Sequence, residues 1–144
     1  MNLGDIYTEV IAEHSASLHN RRHLPHPTVK REGKNPSCGD EIELELQIEG
    51  GRIADASFTG SGCAISQASA SMLADLVRGK TVGEAKALAS LFGDMIRGKT
   101  VGEHALDPLE EAAALQSIGK LPSRVKCATM PWHTLEDALG TGQE

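Results

Sequence analysis

The stretch EIELELQIEGGRIADASFTG, residues 41–60, decides the fold. Ile42, Leu44, Leu46 and Ile48 alternate strictly with Glu or Gln, which is the period of a strand with one buried and one solvated face. Gly50-Gly51 supplies a tight turn, and residues 52–59 return with Ala54, Ala56 and Phe58 on one face, so the stretch predicts an antiparallel hairpin. Directly after it, Gly60-Ser61-Gly62 ends the pattern. Ile65, Ala68, Met72 and Leu76 then fall at helical spacing, so a helix starts close to Cys63. The small residues ASAS, 68–71, let another element approach that helix closely.

Working outward, residues 28–32 predict a short strand before the hairpin, reached through the loop HNRRHLPHP, residues 19–27, with its two prolines. Leu3, Ile6, Tyr7, Val10 and Ile11 share a helical face and predict an amphipathic first helix. Downstream, RGKTVGEAKAL from Arg78 and RGKTVGEHAL from Arg97 form a near-repeat. Each copy carries Thr-x-x-Glu, Thr81/Glu84 and Thr100/Glu103, the spacing of a capping box, so the pair predicts two successive helix entries. Two copies are too few for a solenoid, which needs at least about 3. Asp107-Pro108 offers an N-cap and a first-turn proline for LEEAAALQSI. The stretch LPSRVKCATMPWHTLEDALG, residues 121–140, predicts a helical turn around Cys127 and a last amphipathic helix using Trp132, Leu135 and Leu139, with Pro131 obscuring where that helix begins. The plan is α+β, a small antiparallel three-stranded sheet covered by helices, with residues 1–144 as a single domain.

Net charge is −6, from 20 acidic and 14 basic residues, which is the wrong balance for gripping a phosphate backbone. Aromatic residues make up only 3% of the chain, too few for base-stacking platforms. No apolar run approaches the ~20 residues that span a bilayer, and the opening MNLGDIYTEVIAEH lacks the basic-then-apolar build of a signal peptide. The expectations are a cytoplasmic protein with neither nucleic acid nor membrane as a partner.

Cys38, Cys63 and Cys127 are an odd number of cysteines, which suits metal binding or thiol chemistry better than a disulfide framework. Cys38 precedes the hairpin in NPSCGD, residues 35–40, and Cys63 follows it. A hairpin returns the chain to the side it left, so Cys38, Asp40 and Cys63 become neighbours. No local geometry brings in Cys127, and cysteine economy alone suggests it. Together the four residues offer three thiolates and a carboxylate, a set that suits tetrahedral Zn²⁺ or an iron–sulfur cluster. No CxxC pair is present, each cysteine also suits burial as a small hydrophobe, and Asp40 also suits a turn. Gly39 and Gly62 let the backbone curl round a ligand set. His23 and His26 are close enough in their loop to share a metal, but their segment adds no neighbouring acid or thiol. Cys127 with His133 would make a nucleophilic pair without an orienting third group. His14, His19 and His104 form no constellation.

NPSCGD, then TGSGCAISQASASM, then RVKCA before a tryptophan-bearing helix, resembles the iron–sulfur scaffold superfamily that includes the IscU and SufU families. The resemblance covers nearly the whole chain. IscU-type proteins carry a histidine just before the third cysteine, where this chain has Lys126, a poor ligand while it holds its proton. SufU-like proteins have a long segment between the second and third cysteines, matched here by a helical insertion at about 79–120. The SufU branch therefore resembles this chain better. It implies a zinc site of Cys38, Asp40, Cys63 and Cys127, with Cys38 receiving persulfide sulfur from a SufS-like cysteine desulfurase and passing it to downstream iron–sulfur assembly proteins. The activity implied is that of a sulfurtransferase. The alternatives are a scaffold for a transient [2Fe–2S] cluster and a non-catalytic, zinc-stabilised interaction module. Arg124 is placed by the same resemblance against Asp40 or the partner.

Overall fold

The computed structural model describes residues 3–37, 39–102 and 104–140. Helix α1 spans Leu3–Ala16. Three strands follow, β1 (Val29–Asn35), β2 (Asp40–Glu49) and β3 (Arg52–Ser61), paired antiparallel in the order β1-β2-β3. Helices α2 (Ala64–Val77) and α3 (Val82–Ile96), a 3₁₀ segment (Asp107–Lys120) and α4 (Pro122–Gly140) complete the chain. The fold is the expected three-stranded antiparallel sheet with helices packed on it.

The hairpin forms as its alternation requires, with Ile42, Leu44 and Leu46 buried on the helix-facing side. On β3 the inward residues are Ile53, Ala56 and Phe58, whereas Ala54 is exposed. Gln47 pairs with Asp55 and Ile48 with Ile53, so Ala54 is an extra residue on β3. That bulge reverses the facing of the strand beyond it, and the larger Ile53 takes the core position expected of Ala54. Strand β1 runs three residues further than expected, to Asn35.

Helix α2 is the central pillar, and from Ser66 to Val77 only Asp75 is exposed. Its small residues admit α4. Ser69 Oγ donates to the Ala128 carbonyl at 2.6 Å and accepts from Trp132 Nε1 at 3.1 Å. Gly33 on β1 does the same from the other side, since a Cβ there would collide with Thr134 and Met130 of α4. Phe92 of α3 stacks on Trp132, with ring centroids 4.5 Å apart. In α1, Val10 and Ile11 pack on the core as their spacing predicts, while the side chains of Leu3, Ile6 and Tyr7 lie outside those described.

The near-repeat divides. Thr81 and Glu84 make a complete capping box at the start of α3, with Glu84 N–H donating to Thr81 Oγ1 at 3.0 Å and Thr81 N–H to Glu84 Oε1 at 2.9 Å. Thr100 opens no helix, and Glu103 lies outside the described residues. The first copy runs on into AKALASLFGDMI, which has an apolar helical period. The second meets Pro108 within a few residues, and a proline ring there would clash with the helical carbonyl of residue 104.

The 3₁₀ segment replaces the expected α-helix. Asp107 pairs with His104 at 2.8 Å and does not cap, and Glu110 breaks the segment with φ 50°. Buried Leu109, Ala112, Leu115 and Ile118 recur every third residue, the 3₁₀ repeat. Helix α4 runs from Pro122 continuously through Pro131, which settles the start that Pro131 obscured in the sequence. Pro131 has no N–H to offer the helical ladder at this turn. Packing of Trp132 and Leu135 in the core, with Thr134 Oγ1 donating to the Met130 carbonyl at 2.8 Å, holds the turn together.

Candidate metal centre

The open end of the β2–β3 hairpin sets Asp40 at the first residue of β2 and Cys63 at the N-cap of α2. Glu41 pairs with Ser61, so two residues of extended chain bring Cys63 back to Asp40, and its N–H donates to Asp40 Oδ1 at 2.9 Å. Gly62 makes this possible, since a Cβ there would stand 2.6 Å from both Asp40 Oδ1 and Ser66 Oγ. Asn35, the last residue of β1 and the cross-strand partner of Asp40, donates to Asp40 Oδ2 at 3.2 Å and to Cys127 Sγ at 3.7 Å.

Asp40 and Cys127 are buried and Cys63 is partly exposed. Their donor atoms all lie within 4.8 Å of one another. Cys127 arrives because α4 sinks between Gly33 and the small residues of α2, a route that passes its first turns across the end of β1. Cys38, the fourth expected member, lies outside the described residues, in the connection between Asn35 and Asp40. Burial pushes the Asp40 carboxyl up. The Cys63 amide, the Cys127 thiol, Asn35 and Ser66 outweigh that and hold it below the usual carboxylate range. Asp40 is therefore a carboxylate at neutral pH, as a ligand must be.

The donor chemistry fits a metal. Tetrahedral Zn²⁺, with Zn–S about 2.3 Å and Zn–O about 2.0–2.2 Å, needs donors roughly 3.5–4 Å apart, and small rotamer changes bring two sulfurs and an oxygen to that spacing. Asn35 has the position of an outer partner that orients two ligands at once.

Of the two places expected for Arg124, against Asp40 or against the partner, the first is not taken. Arg124 is exposed on the first turn of α4 and makes no bond to Asp40 among the described residues. Cys127 and His133 do not pair, since His133 is exposed and bonded to Glu136 while the Cys127 sulfur faces Asn35. His14 was missed as a connector. It joins Ser71 of α2 at 2.9 Å and Glu111 of the 3₁₀ segment at 2.7 Å. His23 was expected to lack acids, yet the fold brings it to Glu43 and Glu45, while His26 stays outside that group. An open groove of about 650 Å³ beside the cysteine–aspartate cluster is lined by Asn35, Pro36, Ser37, Lys126 and His133, among others.

Fold and site together define an α+β domain with two cysteines and a carboxylate gathered where they could hold a metal ion. Residues 6–91 match the family described as the NifU-like N-terminal domain. The zinc-dependent sulfurtransferase SufU of Bacillus subtilis is 38% identical over 138 residues, covering 96% of this chain and 92% of the relative. The iron–sulfur cluster assembly scaffold protein IscU of Thermotoga maritima is 41% identical over 134 residues, covering 93% and 92%. A crystal structure of SufU from Fervidobacterium islandicum AW-1, described as a candidate iron–sulfur cluster assembly scaffold protein for the SUF system, superposes with a TM-score of 0.85 at 38% identity, over 94% of this chain and 97% of that one. The chain belongs to the NifU-like N-terminal domain family, and SufU- and IscU-type iron–sulfur assembly proteins are its relatives. Among the described residues no helix is long and apolar enough to cross a membrane.

Proposed function

We propose that this protein is a zinc-dependent sulfur carrier that accepts persulfide sulfur from a cysteine desulfurase and passes it toward iron–sulfur cluster assembly. The observation that carries this reading is the convergence of Asp40, Cys63 and Cys127 within 4.8 Å at the end of the hairpin. Cys38, two residues before Asp40 in the chain, completes the ligand set. Bound there, Zn²⁺ would supply redox-inert charge that keeps sulfur in the thiolate form.

The chain's own residues perform the transfer. The Cys38 thiolate attacks the outer sulfur of the partner's cysteine persulfide. The partner's S–S bond breaks, its thiolate leaves, and a new S–S bond forms on Cys38, so the exchange needs no external oxidant. Asn35 and Asp40 keep Cys63 and Cys127 in place meanwhile. The groove lined by Ser37 and Lys126 gives a partner's loop open access to this end of the molecule.

The IscU relatives favour a second reading, a scaffold that builds a transient [2Fe–2S] cluster on the same residues. Lys126, exposed beside Cys127, stands where that activity would use a further ligand. Metal analysis of aerobically purified protein separates the two. The carrier reading expects about one zinc per chain and a colourless protein, since zinc sites of this type are redox-inert. A sulfide-containing chromophore with little zinc would favour the scaffold.

A further inference from the structure

We propose that His23, Glu43 and Glu45 form a second metal site, for a divalent first-row transition cation of the Mn²⁺ or Fe²⁺ class, on the face of the sheet turned away from the helices. The donor atoms of these three residues lie within 4.8 Å of one another. Glu43 and Glu45 alternate along β2 with the core residues Ile42, Leu44 and Leu46, so both point to the outer face. The loop between α1 and β1 crosses that face. Leu24 N–H donates to Glu45 Oε1 at 2.9 Å, and His23 Nδ1 meets Glu45 Oε2 at 2.5 Å. Pro25 follows directly and stiffens the loop that carries the imidazole.

A His23–Glu45 ion pair by itself leaves two features unexplained. The first is charge. The outer face of β1 and β2 carries Glu32 opposite Glu43, Lys30 opposite Glu45 and Lys34 opposite Glu41, so four carboxylates gather against two lysines and one imidazole. Like charges directly across strands are unfavourable, and a divalent cation removes that repulsion. The second is Ser57. It is the cross-strand partner of Glu45 on the same face, fully buried, and its Oγ has no hydrogen-bond partner among the described residues. An orphaned buried hydroxyl beside a buried carboxylate is what an ion or its bound water would satisfy.

One imidazole and two carboxylates make a harder donor set than the cysteine–aspartate cluster, which is why the two sites would sort different metals. Glu43, the proposed ligand nearest Asp40, is three steps along β2 from it, about 10 Å, so the sites do not share a ligand. Burial pushes the Glu45 carboxyl up, and the Leu24 amide and His23 more than offset it, which keeps the group anionic.

The test is a titration of the as-purified full chain with Mn²⁺, followed by the loss of its free-ion electron paramagnetic resonance signal. One Mn²⁺ per chain is expected. His23→Ala and Glu43→Gln, at positions exposed enough to leave the fold intact by circular dichroism, should each weaken it tenfold or more. Glu49→Gln on the same strand and Cys63→Ser in the cysteine–aspartate cluster should leave it unchanged. Absence of Mn²⁺ binding up to millimolar concentration would overturn the proposal. So would binding that survives both His23→Ala and Glu43→Gln, or that disappears with Cys63→Ser.

Discussion

Asn35 shows how much one side chain can do without being a ligand. Its amide reaches Asp40 on one side and Cys127 on the other, joining the end of β1 to a residue distant in the chain. Removing such an outer partner typically costs about 10–100-fold in metal affinity, and Asn35→Ala is expected to lower zinc affinity by that factor. Competition with a chromophoric chelator measures it, and an unchanged affinity would mean that the ligands hold their own orientation. Cys63 and Asp40 could be read from sequence as neighbours, because the hairpin that separates them is written in strict alternation. Cys127 could not. Its place depends on Gly33 and on the serines and alanines of α2, whose meaning as a docking slot emerges only when α4 is laid across them.

Among the elements, the two copies of the near-repeat differ in stability value although their first seven residues agree. Thr81→Ala removes a working capping box and is expected to cost about 1 kcal/mol, whereas Thr100→Ala removes no helix cap and should stay within about 0.5 kcal/mol. Urea denaturation of the two variants measures the contrast, and equal losses would mean that Thr100 caps after all. The hairpin, α2 and α3 follow from local pattern, since their periods, turns and caps all agree. The 3₁₀ segment does not read as an α-helix once its spacing is counted. Leu109, Ala112, Leu115 and Ile118 repeat at three, and Asp107 was claimed by His104 before it could cap. Pro131 obscures the helix start for a different reason: tertiary packing of Trp132 and Leu135 overrides a local preference for breaking the helix. The bulge at Ala54 likewise needs the sheet register, which a single strand's alternation does not contain.

Across the whole molecule, the loop from α1 to β1 is tied down by buried or half-buried carboxylates. Asp55 receives Arg22 at 2.9 Å and Arg78 at 3.0 Å, and Glu45 receives Leu24 and His23. Burial raises the Asp55 carboxyl, and Arg22, the Ala56 amide and Arg78 outweigh it, so its folded pKa lies below the ordinary value. Glu45 is lowered in the same way. A depressed carboxylate contributes stability that is complete above the unfolded pKa and is lost as pH falls through the folded one. Stability should therefore hold from neutrality to about pH 5 and decline below about pH 4, where carboxyls of the unfolded chain take up protons first. Asp55→Asn should flatten that decline, as read from urea midpoints across pH, and an equally steep decline in the variant would remove Asp55 from the account of acid sensitivity.

The most direct test of sulfur acceptance is intact-mass and peptide mass spectrometry of the zinc-bound protein after incubation with a cysteine desulfurase and cysteine labelled with heavy sulfur. The expected result is one labelled sulfur atom added at Cys38, removable by reductant and absent from Cys38→Ala, with desulfurase turnover falling in that variant. A chain that stays unlabelled while the desulfurase turns over at the same rate with wild type and Cys38→Ala would contradict a role as sulfur carrier.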